Sequence, residues 1–187
     1  MARVAYVDEA TAVESVGIAF ERMRAKRGKV TNIYRALAHK PAMLTTIGPF
    51  VAAVQAPDEI DARTKERIIL RVSLLNNSLY CTHAHNQIMT KMGFSAEEIA
   101  AVSDPALATF DDPTRAALVF AEELTRSPGA VSGETFATLR RHFTESQIVE
   151  ITMLVALYNM VNRFNAGLEL DLEEYCCLLY TSPSPRD

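Results

Sequence analysis

Twice in this sequence a hydroxyl residue stands three places ahead of a glutamate or glutamine at the head of an apolar run: Ser95-Ala96-Glu97-Glu98 and Thr144-Glu145-Ser146-Gln147. In that spacing the hydroxyl accepts from a helix N–H near the start, while the longer side chain reaches back to the cap's own N–H. Each pattern therefore marks where a helix begins. Asp112-Pro113 predicts a third start, as an N-cap followed by proline in the first helical position. Ser132 predicts a fourth. Gly28 and Gly93 mark ends, since glycine tolerates the left-handed conformation that closes a helix. Between these marks apolar residues recur at helical spacing, as Val13, Val16, Ile18, Ala19, Phe20 and Met23 do over residues 9–26. The same reading gives helices over about 31–39 and 42–55 on either side of Pro41, and over 60–77 after the Ala56-Pro57-Asp58 turn. Others cover 80–92 after a break at Asn76-Asn77-Ser78, then 112–126, 132–142 and 145–166. No segment alternates with period two between turns. The predicted fold is all-α, a single domain over residues 1–174. Helices 60–77 and 145–166 read as diverged repeats, because Glu66 and Glu150 occupy similar places in them.

A chain of 187 residues suits one domain, or two small helical halves sharing a core. The net charge of -4 argues against a general nucleic-acid partner, which needs clustered Lys and Arg. Arg22, Arg24, Lys26, Arg27 and Lys29 form the one basic run, and they read as the solvated C-terminal end of a helix. No stretch reaches the roughly 18 apolar residues of a membrane span, and the first residues lack a signal peptide's apolar core. Three cysteines, two adjacent, make no disulfide framework. A reducing cytoplasm is the expected location, with no nucleic-acid or membrane partner. The segment 148–161 is apolar on more than one face, through Ile148, Ile151, Met153, Leu154, Val155, Leu157, Met160 and Val161. Such a helix needs cover on several sides, so a homo-oligomer is expected. From Tyr175 onward, YCCLLYTSPSPRD breaks the helical pattern and resembles translated adapter or vector sequence. Cys176 and Cys177 are accordingly left out of the chemistry.

The chemistry-bearing stretch runs from Glu66 to His85, ERIILRVSLLNNSLYCTHAH. On a helix, Ile68, Ile69, Val72, Leu75 and Leu79 form an apolar stripe, and Arg63, Arg67 and Arg71 a solvated one. Glu66 lies between them with Leu70, Ser73 and Asn77. It is either a semi-buried functional carboxylate or the surface partner of Arg63. Cys81 and His85, four residues apart, project about 40° apart on one helical face. The imidazole could take the thiol proton or stabilise a thiolate, and a place in the first helical turn would add the helix dipole. A buried structural cysteine beside a core histidine has the same spacing. Cys81-x-His83-x-His85 also has the composition of a metal site, but His83 points about 200° from Cys81 on a helix. No metal or other cofactor is expected. His39 and His142 read as cap or surface residues.

These residues resemble the alkylhydroperoxidase D pattern of the carboxymuconolactone decarboxylase superfamily: Glu, eleven residues, Cys-x-x-Cys, three residues, His. Here Glu66, eleven residues, Ser78-Leu79-Tyr80-Cys81, three residues and His85 reproduce the spacing. RVAYVDEA near the start, IYRALAHKP at 33–41, MGFSAEEIAAV at 92–102 and LYNMVNRF at 157–164 are similar to the superfamily as well. The likeness covers about 1–174. It implies an AhpD-like helical fold, assembly into trimers or their multiples, and peroxidase chemistry. By that likeness Cys81 is the peroxide-attacking thiolate, and Glu66 and His85 are its proton relay. The first cysteine of the pattern is replaced by Ser78, which can donate a hydrogen bond but cannot close a disulfide. The expected partners are then a hydroperoxide and an external thiol reductant. The superfamily's lactone decarboxylases use a similar scaffold without the cysteine pair. Two further readings therefore stand beside the peroxidase: a lyase acting on a small organic acid or lactone, and a non-catalytic, ligand-binding helical oligomer.

Overall fold

The computed structural model describes residues 1–104 and 110–173, apart from the side chains of Lys26 and Arg27. Every regular element among them is helical. A 3-10 turn at Glu9–Thr11 precedes α1 (Glu14–Arg27), α2 (Asn32–Leu37), α3 (Pro41–Gln55), α4 (Ala62–Leu75) and α5 (Leu79–Lys91). Then come α6 (Ala96–Ala101), α7 (Asp112–Arg126), α8 (Gly133–His142) and α9 (Glu145–Gly167). The all-α expectation holds. The expected tail from Tyr175, with Cys176 and Cys177, lies outside the described residues, as does the expected domain boundary at 174.

The caps explain most of these boundaries. Ser95 and Glu98 form the expected reciprocal box, with Ser95 N donating to Glu98 Oε2 at 2.8 Å and Glu98 N to Ser95 Oγ at 3.2 Å. Thr144 and Gln147 form the second, at 2.9 and 3.3 Å. Ser132 caps α8 through Thr135 N, and Gly28 (φ 77°) and Gly93 (φ 80°) take the left-handed conformation. Two expectations need correction. The helix drawn over 9–26 is split: Asp8 caps a separate short turn, and Ala12 and Val13 are extended before α1 begins. The cap of α7 is Asp111, not Asp112, because Asp111 accepts from Thr114 N and leaves Asp112-Pro113 as the first two helical residues. The two helices expected around Pro41 are present as α2 and α3, but Pro41 is itself the first residue of α3.

The chain divides into two compact units. One gathers Met1–Ala53 with the described residues from Asn165 onward. Its two ends are tied together: Arg3 N donates to Leu168 O at 2.9 Å, Tyr6 Oη to Asp171 Oδ2 at 3.1 Å, and Asp171 N back to Tyr6 Oη at 2.9 Å. Asn32 holds the same strip, through its N–H to Glu173 and its amide to Asp171 O. His39 is exposed and bonds Ala5 O. Arg24 pairs with Glu9, and Arg22 is exposed, as expected of the basic run. Lys26 and Arg27 of that run fall outside the described side chains.

The other unit, Val54–Phe164, carries the residues singled out above. Leu70, Met89, Phe94 and Val102 form a buried cluster in it, with Leu74, Met92, Ile99 and Phe110 packed around. The arginine stripe is not solvated as expected. Arg63 lies over the Phe94 ring and reaches Glu98. Arg71 is buried, paired with Glu122 and donating to Val102 O and Ser103 O. The residues that follow α5, together with α7, cover this side of α4, and periodicity within one helix cannot reveal a neighbour. Leu79 departs as well. It is 74% exposed at the start of α5, outside the buried stripe of Ile68, Ile69 and Val72. No helix among the described residues is long and apolar enough to cross a membrane.

Candidate active site

Two helices and a tight connection build the site. Asp61 opens α4, accepting from Arg63 N, Thr64 N and the Thr64 hydroxyl at 2.9, 3.0 and 2.7 Å. Burial alone would raise the Asp61 carboxyl, but the bonds from Thr64 and Arg63 outweigh it and hold the group below the usual carboxylate range. One turn into α4, Glu66 faces α5. Asn77 reverses the chain in the left-handed region (φ 51°), which Asn tolerates better than most residues, and Ser78 N donates to Ser73 O at 2.9 Å. Ser78 is the N-cap of α5, buried, and makes no side-chain cap bond. Cys81 is then the third residue of α5, inside its first turn, where the helix dipole favours an anion.

Cys81, His85 and Met89 are the buried positions of α5, one turn apart along one face. Met89 enters the apolar cluster, while Cys81 (3% exposed) and His85 (6%) occupy the opposite end of that stripe. His85 Nδ1 lies 2.6 Å from Glu66 Oε2. A carboxylate can only accept, so Nδ1 carries the hydrogen and the Nε2 lone pair is left to act as a base. Glu66 is semi-buried and bonded to His85, while Arg63 pairs with Glu98 and not with Glu66. His83 is half-buried, and among the described residues no group of His, Cys, Asp and Glu is arranged to hold a metal.

Three residues of this neighbourhood, Tyr158, Gln55 and Lys65, were not singled out from the sequence. The Tyr158 ring stands edge-on to His85, with centroids 5.1 Å apart and planes at 81°. Gln55 Nε2 donates to the Tyr158 hydroxyl. Lys65 is buried and pairs with Glu150, whose other oxygen accepts from Ile60 N at 3.1 Å. Glu150, expected as the repeat counterpart of Glu66, thus faces a lysine and not a histidine. The available signal was weak: a tyrosine inside LYNMVNRF, on a helix whose other inward positions are mostly aliphatic.

Residues 41–123 match the model of the carboxymuconolactone decarboxylase family, a segment that includes Glu66, Ser78, Cys81 and His85. Over that segment, a little under half of its length, the chain is similar to the carboxymuconolactone decarboxylase family. Among similar proteins, the uncharacterized protein YdfG of Bacillus subtilis is 29% identical over 111 residues, covering 58% of this chain and 76% of its own. An alkylhydroperoxidase AhpD core from Ralstonia eutropha JMP134, described as an uncharacterized peroxidase-related protein, superposes with a TM-score of 0.83 at 22% identity over 98% of both chains. A cysteine-to-alanine variant of the debrominase Bmp8, in complex with 2,3,4-tribromopyrrole, superposes with a TM-score of 0.82 at 22% identity over 95% of both. At those identities the two structures speak for the AhpD-like fold alone.

Proposed function

We propose that the protein is a one-cysteine hydroperoxide reductase of the AhpD-like type. The observation that carries this reading is a buried thiol in the first turn of α5, one turn ahead of an imidazole whose Nδ1 is held by Glu66 at 2.6 Å. His85 Nε2 takes the Cys81 proton, and the thiolate is favoured by the imidazolium and by the helix dipole. The sulfur attacks the terminal oxygen of the hydroperoxide, so an S–O bond forms as the O–O bond breaks. Cys81 becomes a sulfenic acid, and the departing alkoxide takes the proton from His85 and leaves as an alcohol. Glu66 stabilises the imidazolium in between. An external thiol then displaces water from the sulfenic acid to give a mixed disulfide, and a second thiol releases Cys81.

The Glu66–His85 pair would equally serve a lyase as acid and base on a small organic acid or lactone, and the absence of a second thiol at Ser78 favours that alternative. Intact mass after one equivalent of hydroperoxide separates the two: gain of one oxygen on Cys81 is expected, reversed by excess thiol. A Cys81 that remains a free thiol under excess peroxide would sink the peroxidase reading and advance the lyase. Because a similar fold in Bmp8 holds a bromopyrrole, a halogenated pyrrole belongs in the same screen. Thiol-dependent debromination without peroxide reduction would reassign the thiolate to that chemistry.

A further inference from the structure

We infer that Tyr158 is a positioning residue for His85, held by Gln55 and, behind Gln55, by the buried Lys65–Glu150 pair; the inference rests on the thiolate role of Cys81 proposed above. A single hydrogen bond from Nδ1 to Glu66 fixes one point of the imidazole and leaves the ring free to swing about it. The Tyr158 ring, 5.1 Å away and nearly perpendicular, limits that swing and so sets the direction of the Nε2 lone pair. Cys81 on the preceding turn, Glu66 from α4 and Tyr158 from α9 are the titratable groups placed around this imidazole.

Tyr158 is itself held. Its hydroxyl oxygen accepts from Gln55 Nε2. The backbone on either side of Gln55 is gripped by one ammonium, because Lys65 Nζ donates to Val54 O at 2.9 Å and to Ala56 O at 2.5 Å. Its third partner is the Glu150 carboxylate, which also ties down Ile60 N. Lys65 is 2% exposed. A buried ammonium is costly unless it is bonded and its charge is paired; here two carbonyls accept from it and the Glu150 carboxylate balances the charge. An apolar residue could fill the same space, so the charge is best understood as specifying where the 54–60 segment, and with it Gln55, must lie. Lys65 and Glu66 are consecutive residues of α4, projecting about 100° apart. One holds the imidazole directly and the other holds it through Gln55 and Tyr158. Both restraints on His85 are therefore anchored in the same helical turn.

Alkylation of Cys81 by iodoacetamide, followed against pH by mass spectrometry, reports how well His85 activates the thiol without requiring any peroxide chemistry. His85→Ala sets the fully impaired profile. Tyr158→Leu should lower the rate at pH 7 by about tenfold and move the inflection upward toward that profile, since misorientation of a catalytic group costs rate steeply. Tyr158→Phe keeps the ring and should recover most of the loss, and Gln55→Met, at a half-buried position, should fall between wild type and Tyr158→Leu. Long-range imidazole NMR should show the Nδ1–H tautomer sharp in wild type and exchange-broadened in Tyr158→Leu. A folded Tyr158→Leu protein with the wild-type profile overturns the inference, as does a Tyr158→Phe protein as impaired as Tyr158→Leu. If Tyr158→Leu does not fold, an unchanged Gln55→Met profile overturns it instead. Failure of the function itself looks different: His85→Ala would then alkylate like wild type, leaving nothing for Tyr158 to position.

Discussion

Ser78 and Cys81 stand at the N-cap and third positions of α5, the pair whose side chains approach each other in a capping box. Ser78→Cys should therefore form an internal disulfide after peroxide treatment, detectable by non-reducing mass spectrometry, and should relieve the dependence of turnover on external thiol. Persistence of that dependence would mean the two sulfurs cannot reach bonding distance. At the same scale, His85→Gln should abolish peroxide reduction, about 100-fold or more for a lost general base, whereas His83→Gln should retain most of it. Equal losses, or stoichiometric metal in the purified protein, would restore the Cys-x-His-x-His reading. Glu66, Cys81 and His85 were legible because their relation depends on spacing within two consecutive helices. Tyr158 and Gln55 were not, since they meet across 103 positions of sequence and neither carries a motif.

The elements were legible where their ends carry local chemistry. Both capping boxes, Ser132 and the two closing glycines are bonds between residues a few positions apart, so sequence alone locates them. The arginine stripe of α4 was misread because what covers a helix face comes from elsewhere in the chain. The same caps make a prediction about acid. Asp61 and Asp111 open α4 and α7, and the hydroxyl and N–H of Thr114 hold Asp111 below the usual carboxylate range, as those of Thr64 do for Asp61. Burial works against Glu122, but Arg71 and Arg126 carry it the same way. A carboxyl held low in the folded state contributes stability that is present above its unfolded value and lost as pH falls through the folded one. Denaturant midpoints should accordingly drop as pH is lowered from about 5 toward 3, in the range where carboxylates titrate. Asp61→Ala should cost about 1 kcal/mol at neutral pH and flatten part of that dependence. An acid profile identical to wild type would remove Asp61 from the account.

For the whole molecule, α9 leaves Val149, Met153, Ala156 and Met160 exposed at spacings of four, three and four, a continuous apolar seam on one helical face. Other faces of the same helix bury Ile151, Leu154, Val155 and Leu157, in keeping with its apolar character on several sides. We propose that a second copy covers the seam. Light scattering at micromolar concentration should give a mass above the monomer, and Val149→Glu with Met153→Glu should lower it. A wild-type protein that is strictly monomeric counts against this. The tie between the chain ends has a consequence in time. Tyr6 and Asp171 bond across 165 positions, so on a ribosome adding about 5–20 residues per second the N-terminal strip waits on the order of ten seconds for its partner. Glu66, Cys81, His85 and Tyr158, with the residues that hold them, all emerge during that wait. The helices that carry these residues are therefore complete along the nascent chain before Tyr6 and Asp171 can meet.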